Sequence, residues 1–197
     1  MQIKDVFGKL PLLETERTKL RPVTLQDVED MYRYCSDEAV SEFTSWYPHG
    51  TLDDTLGFIR HLERKYDSGE VAPWGVVDKE EDRLIGTCGF VHWDPVHRRA
   101  ELGYALSRRY WGKGYMTEVA AAIIQFGFTE MDLIRLEARC LVPNIGSARV
   151  MEKTGMTYEG TLRKVVLNKG VHCDLKVYSI VKGEDGSKRL ENRFDGQ

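Results

Sequence analysis

The sequence lacks any metal-binding or disulfide framework. Its 4 cysteines, Cys35, Cys88, Cys140 and Cys173, stand far apart and form no Cys-x-x-Cys pair. That spacing argues against a structural zinc site and a small disulfide scaffold, and reduced thiols in the cytoplasm are the simplest reading. Long apolar runs are also missing. No stretch could span a bilayer, and "MQIKDVFGKLPLLETERTKL" has no uninterrupted core of signal-peptide length. Nor is there an excess of one charge: 28 Lys+Arg against 31 Asp+Glu leave a net −3. Without a global field to collect nucleic acid or an anionic membrane, any anionic ligand must be drawn by a local site. The expectation is a soluble cytoplasmic protein with no metal, no nucleic-acid partner and no membrane partner.

What is present suits one globular domain, with 42% hydrophobic and 30% charged residues. Residues 1–183 read as that domain and 184–197 as a polar, flexible tail without periodicity. "TKLRPVT" reads as a short strand ending near Pro22, after which Thr24 can cap a helix carrying Val28, Met31 and Tyr32. Thr51 caps a second helix with the stripe Leu56, Ile59 and Leu62. From Pro73 the pattern turns to strands, "WGVVD", "RLIGTCGFVHW" and "AELGYALS", which read as an antiparallel meander. A helix from about Gly114 to Glu130 leads to the strand "IRLEARCLV". Asn144 caps a short helix that Gly155 ends, and two last strands turn through Lys169 and Gly170. This order predicts an α/β domain whose sheet is partly parallel.

The stretch that carries chemistry is "LSRRYWGKGYMTE", Leu106 to Glu118. At a strand-to-helix junction the first amide N–H groups of the helix lack internal partners and form an anion site. Gly112 and Gly114 let backbone approach such a ligand, and Arg108, Arg109 and Lys113 add charge. A loose Gly-x-Gly is also a common turn. The spacing fits neither a Walker loop, since Lys113 is followed by Gly114, nor a dinucleotide fingerprint, which needs a third glycine.

Three stretches in this order resemble the GNAT superfamily of N-acetyltransferases. "RYWGKG" looks like its acetyl-CoA pyrophosphate loop, and "PNIGSARVMEKTGM" resembles its second signature. "EGTLRKVVLNKGVHCDLKVYSIV" is similar to the closing hairpin of its ribosomal-protein N-terminal acetyltransferase branch. The resemblance runs from about Leu13 to Lys182. It implies a single-domain GNAT fold: a mixed, twisted sheet with splayed central strands and helices on both faces. It also implies acetyl-CoA as co-substrate and direct transfer of acetyl to a primary amine in a ternary complex. The acceptor of that branch is a protein N-terminus, and the rival is a small amine such as a polyamine, amino acid or aminocyclitol antibiotic. A non-catalytic acyl-CoA sensor is the reading from another class, and a nucleotide-binding domain ranks last. Both a monomer and a homodimer are compatible with the sequence.

The resemblance assigns candidate roles. Backbone from Trp111 through Gly112, Lys113, Gly114 and Tyr115 to Met116 would hold the diphosphate, with charge from Arg109 and Lys113. Leu106 and Asn144 would meet the pantetheine arm, although capping alone explains Asn144 and Trp111 can simply pack on the sheet. An N–H near Tyr104 is the oxyanion donor, with the Tyr104 ring read as a packed aromatic. Glu101 is the candidate base or else the partner of Arg98 or Arg99; His92 and His97 stand behind it. Ser147 would protonate the thiolate, because Met151 stands where many members carry a tyrosine, and a thioether donates no proton. Trp46, Tyr47 and His49 would wall the acceptor pocket or anchor a packed loop. Asp174 would hold the ammonium or pair with Lys176 or Arg163.

Overall fold

The computed structural model describes residues 2–184, and the remaining tail residues lie outside them. Eight strands form one sheet in the order β1-β2-β3-β4-β5-β6-β8-β7. In chain order the elements are α1 (Ile3–Phe7), β1 (Leu13–Glu14), β2 (Thr18–Arg21), α2 (Val28–Cys35), α3 (Glu38–Ser41) and α4 (Leu52–Ser68). Then follow β3 (Trp74–Asp78), β4 (Arg83–Asp94), β5 (Arg99–Leu106), α5 (Tyr115–Thr129), β6 (Arg135–Leu141), α6 (Ile145–Lys153), β7 (Thr157–Asn168) and β8 (Val171–Val181). The β3–β4–β5 meander is antiparallel, and the α5 crossover makes β6 parallel to β5. Among the described residues no helix is long and apolar enough to cross a membrane.

Helices cover both faces, and the strands show why. All five residues of β3 are buried, as a strand covered on both sides requires. Trp74 and Val76 enter a core shared with Val119, Ile123 and Ile124 of α5, and with Ala148 and Met151 of α6. Val77 and Leu84 point the other way, against Met31 and Tyr34 of α2 and Ile59 and Leu62 of α4. The two-residue strand period therefore feeds two separate cores.

Two helices were not anticipated. The five-residue α1 is too short to show a period, and it is held by Phe7, whose ring centroid lies 6.0 Å from that of Trp74 and 6.1 Å from that of Trp93. The short α3 begins where Asp37 accepts from the Ala39 N–H at 3.0 Å. Thr24 starts a 3-10 turn, Leu25–Asp27, from which α2 continues.

The feature that builds a site is a parting of strands. β5 pairs with β6 only from Arg99 to Leu102, against Arg135 to Ala138. Beyond that point β5 stays with β4 up to Leu106, opposite Gly86, while β6 stays with β8 up to Leu141, opposite Leu175. A register shift between Phe90 and His92 bends β4 beside the parting. Gly103 fits there because a Cβ would lie 2.6 Å from Cγ1 of Val91.

Candidate active site

The parted strands open into a cavity of about 570 Å³. Glu101 and Tyr104 from β5, Arg139 and Cys140 from β6, and Asn144, Ser147 and Met151 at α6 line one part of it. The loop from Phe43 to Trp46, Pro73, the β4 residues Thr87 and Val91, and the β7–β8 hairpin line other parts of it. Four of the residues expected from sequence to act near the reaction, Glu101, Tyr104, Asn144 and Ser147, thus share one space with Trp46.

Glu101 is three-quarters buried, with its side chain 24% exposed. Burial pushes its carboxyl above the usual carboxylate range, and Glu137 opposite adds to the rise. Arg139, whose Nε lies 3.7 Å away, and His92 on β4 pull the other way. The partner is therefore Arg139, not Arg98 or Arg99: Arg98 binds Asp132, and Arg99 lies 3.8 Å from Asp94. Burial would also raise Glu137, but Arg139 at 2.8 Å and Arg135 at 3.2 Å outweigh it and hold that carboxyl low. Of two facing carboxylates, one is pinned as an anion and the other is eager for a proton. That division suits a general base. His97 is exposed and bonded to Asp94 at 2.8 Å.

The Tyr104 phenol is not a passive aromatic. Its oxygen lies 3.0 Å from Ser147 Oγ and 3.1 Å from the Ser147 carbonyl. Burial pushes its pKa well above the usual phenol range, so it stays neutral. A neutral phenol supplies one proton, and the carbonyl can only accept it. Met151 lines the cavity without a donor, and Tyr104 of β5 lines the same cavity with a hydroxyl. Asn144 caps α6 by accepting from the Ser147 N–H at 3.0 Å, which holds Ser147 on the first turn.

At the start of α5, Gly112 and Gly114 adopt φ of +73° and +84°. Gly114 caps the helix without a side chain. Among the described residues, the N–H groups from Gly112 to Thr117 have no acceptor. Such a row of free donors at a helix start is chemically suited to a diphosphate. The cations of the loop already have neighbours within the protein. Arg109 is occupied by Glu81, with contacts of 2.9 and 2.6 Å, and Lys113 stands 5.9 Å from the Tyr110 ring centroid. Arg17 is the cation fastened to the loop. It donates to the Lys113 carbonyl at 3.0 Å, binds Glu118 at 2.7 Å and lies 4.2 Å from the Tyr115 ring centroid. No local signal could reveal it, because about a hundred residues separate it from these partners.

The other candidates take specific positions. Trp111 donates its indole N–H to the Leu106 carbonyl at 2.7 Å, so that carbonyl is already used within the protein. Met116 is buried in the core and can offer only backbone to a ligand. Tyr47 is 67% exposed. His49 bonds Thr55 at 2.8 Å, and neither it nor Tyr47 lines the cavity. Asp174 accepts from the Lys164 N–H at 2.9 Å where β7 bulges and does not line the cavity, and among the described residues it makes no ion pair with Lys176 or Arg163. Among the described residues no cluster of three His, Cys, Asp or Glu could hold a metal.

This architecture has known relatives. Residues 17–157 match the acetyltransferase (GNAT) domain family. The uncharacterized N-acetyltransferase YoaA of Bacillus subtilis is 33% identical over 172 residues, 87% of this chain and 97% of that one. The ribosomal-protein-serine acetyltransferase of Escherichia coli is 29% identical over 100 residues, 51% of this chain and 56% of that one. The solved structure of a GNAT-family acetyltransferase from Bacillus anthracis superposes with a TM-score of 0.79 at 30% identity, covering 88% of this chain and all of the other. With its parted strands, its open helix start and these matches, the chain belongs to the GNAT acetyltransferase family and is an acetyl-CoA-dependent acyltransferase.

Proposed function

We propose that this enzyme acetylates the N-terminal α-amine of a protein, with ribosomal proteins the leading class, by direct attack of the amine in a ternary complex. The observation that carries this reading is the charge of the cavity wall. Among the described residues Glu101 is its one carboxylate, and Arg139 stands beside it. A polyamine or aminocyclitol brings several ammonium groups, each needing an anion when it leaves water. A peptide N-terminus brings one. Asp174, which accepts from the Lys164 N–H, does not line this cavity, so Glu101 is the acidic group of its wall. The name of the Escherichia coli relative points the same way.

In this reading the free N–H groups from Gly112 to Thr117 hold the cofactor's diphosphate, and the arm lies in the parting between β5 and β6. Glu101 takes the ammonium proton, directly or through water. Tyr104 donates to the Ser147 carbonyl and its oxygen accepts from the Ser147 hydroxyl, which holds that hydroxyl at the cavity wall, where it can turn to donate to the leaving thiolate. Backbone N–H near Tyr104 faces the developing oxyanion.

Incubation with acetyl-CoA should release CoA with hexapeptides bearing a free N-terminal serine or alanine. Their kcat/KM should exceed that for spermidine or an aminocyclitol at least about tenfold, equivalent to about 1.4 kcal/mol. Faster turnover of spermidine would overturn the assignment. Tyr104→Phe should lower kcat about five- to tenfold, the worth of one hydrogen bond of about 1 kcal/mol, with the KM for acetyl-CoA unchanged. An unaltered kcat would remove the phenol from the mechanism.

A further inference from the structure

The acceptor side of the cavity is assembled from two segments far apart in the chain. One wall is the loop after α3, with Phe43 and Trp46; the other is the β7–β8 hairpin, with Val166 and Asn168. Lys169 at the hairpin tip joins them. Its Nζ donates to the Ser41 carbonyl at 2.6 Å and stands 5.4 Å from the Tyr47 ring centroid. That carbonyl also accepts from the Thr44 N–H at 3.0 Å and the Thr44 hydroxyl at 2.9 Å, so loop and hairpin are fastened at one atom. Ser41 itself is buried, 1% exposed.

The turn aims the lysine. Lys169 and Gly170 have φ of +48° and +81° between the paired residues Asn168 and Val171, a two-residue hairpin turn. β8 pairs with β6 only from Leu175 to Val181, so the hairpin tip extends beyond that ladder, and β7 is an edge strand, exposed along most of its length and shifted in register between Leu162 and Val166. Among the described residues no other hydrogen bond or ion pair joins it to the acceptor loop. An ammonium bound to a carbonyl and resting on an aromatic face is a strong tie for one side chain.

The geometry points to Lys169 as a positioning residue for acceptor specificity. By fixing the distance between the loop and the hairpin, it selects an acceptor chain slim enough to lie between them. This inference rests on reading the cavity as the acceptor site.

The test uses the full-length enzyme, a hexapeptide with a free N-terminal serine, and the variants Lys169→Ala, Lys169→Arg and Trp46→Ala. Lys169→Ala should raise the peptide KM about tenfold, as expected for loss of a charge-assisted hydrogen bond. CoA affinity should stay within about twofold, a split that general destabilisation would not produce. Hydrogen exchange should quicken in residues 43–47 and 166–171. Lys169→Arg, which also reaches the carbonyl, should restore most of the KM. If Trp46→Ala raises the peptide KM and Lys169→Ala does not, the role of Lys169 is overturned and the acceptor site stands. If neither variant moves the peptide KM, the acceptor site itself is misplaced. If CoA affinity falls with peptide affinity in Lys169→Ala, the lysine supports the fold as a whole and the proposal fails.

Discussion

Gly112→Glu is expected to weaken CoA binding by about 100-fold or more, roughly 2.7 kcal/mol, while the protein stays folded. A Cβ at Gly112 would meet no atom within 4 Å, so the substitution causes no clash. Its structural cost is the left-handed backbone, φ +73°, at about 1–2 kcal/mol for a residue with a side chain. The new carboxylate would compete for the N–H groups that run from Gly112 to Thr117 and would repel a diphosphate. Gly170→Glu supplies the control, since Gly170 has φ +81° and equally open space but lies at the hairpin tip. It should incur the same strain and leave CoA affinity unchanged. Calorimetric titration with CoA and a thermal melt separate the two variants. Equal affinity in wild type and Gly112→Glu would dissociate this loop from the cofactor.

Glu101→Gln is expected to lower kcat by about 10²–10⁴-fold, the usual contribution of a positioned base. The carboxyl must be ionised to act. Because burial raises its pKa above the ordinary value, activity should climb with pH through that raised value in wild type. The glutamine variant should lose this acidic limb. Stability should move in the opposite direction. A carboxyl whose pKa is higher folded than unfolded binds its proton more tightly in the folded state. Its contribution to stability is complete below the unfolded pKa and declines as pH rises through the folded one. Glutamine removes that decline, and Arg139 keeps Glu137 at 2.8 Å, so the melting temperature at neutral pH should equal or exceed that of wild type. A lower melting temperature with undiminished kcat would make Glu101 a structural partner of Arg139 instead.

Where the chemistry depends on neighbours in sequence, it was readable before the fold was known. The strands from Trp74 to Leu106, the helix after Gly114 and the Asn144 cap all lie where periodicity and capping residues put them. Hydrophobic period and caps act within a turn or two, so they survive in a bare sequence. The short α1 and α3 left no such trace because their few residues complete no period. Tyr104 shows the limit from another side. Read along β5 it alternates as a packed aromatic, and only the approach of α6, 43 residues later, gives its hydroxyl a partner.

The chain alone thus determined the order of the strands and longer helices and the glycine-rich helix start. Only the folded molecule decided which charges matter around the site. Arg17 reaches the loop across about a hundred residues, Lys169 crosses 128 to meet Ser41, and Arg139 approaches Glu101 because two strands run parallel before they part. Local propensities set which backbone segments form. The charged contacts follow from the packing of those segments, and the free energy of a buried charge depends on neighbours that the sequence does not place side by side.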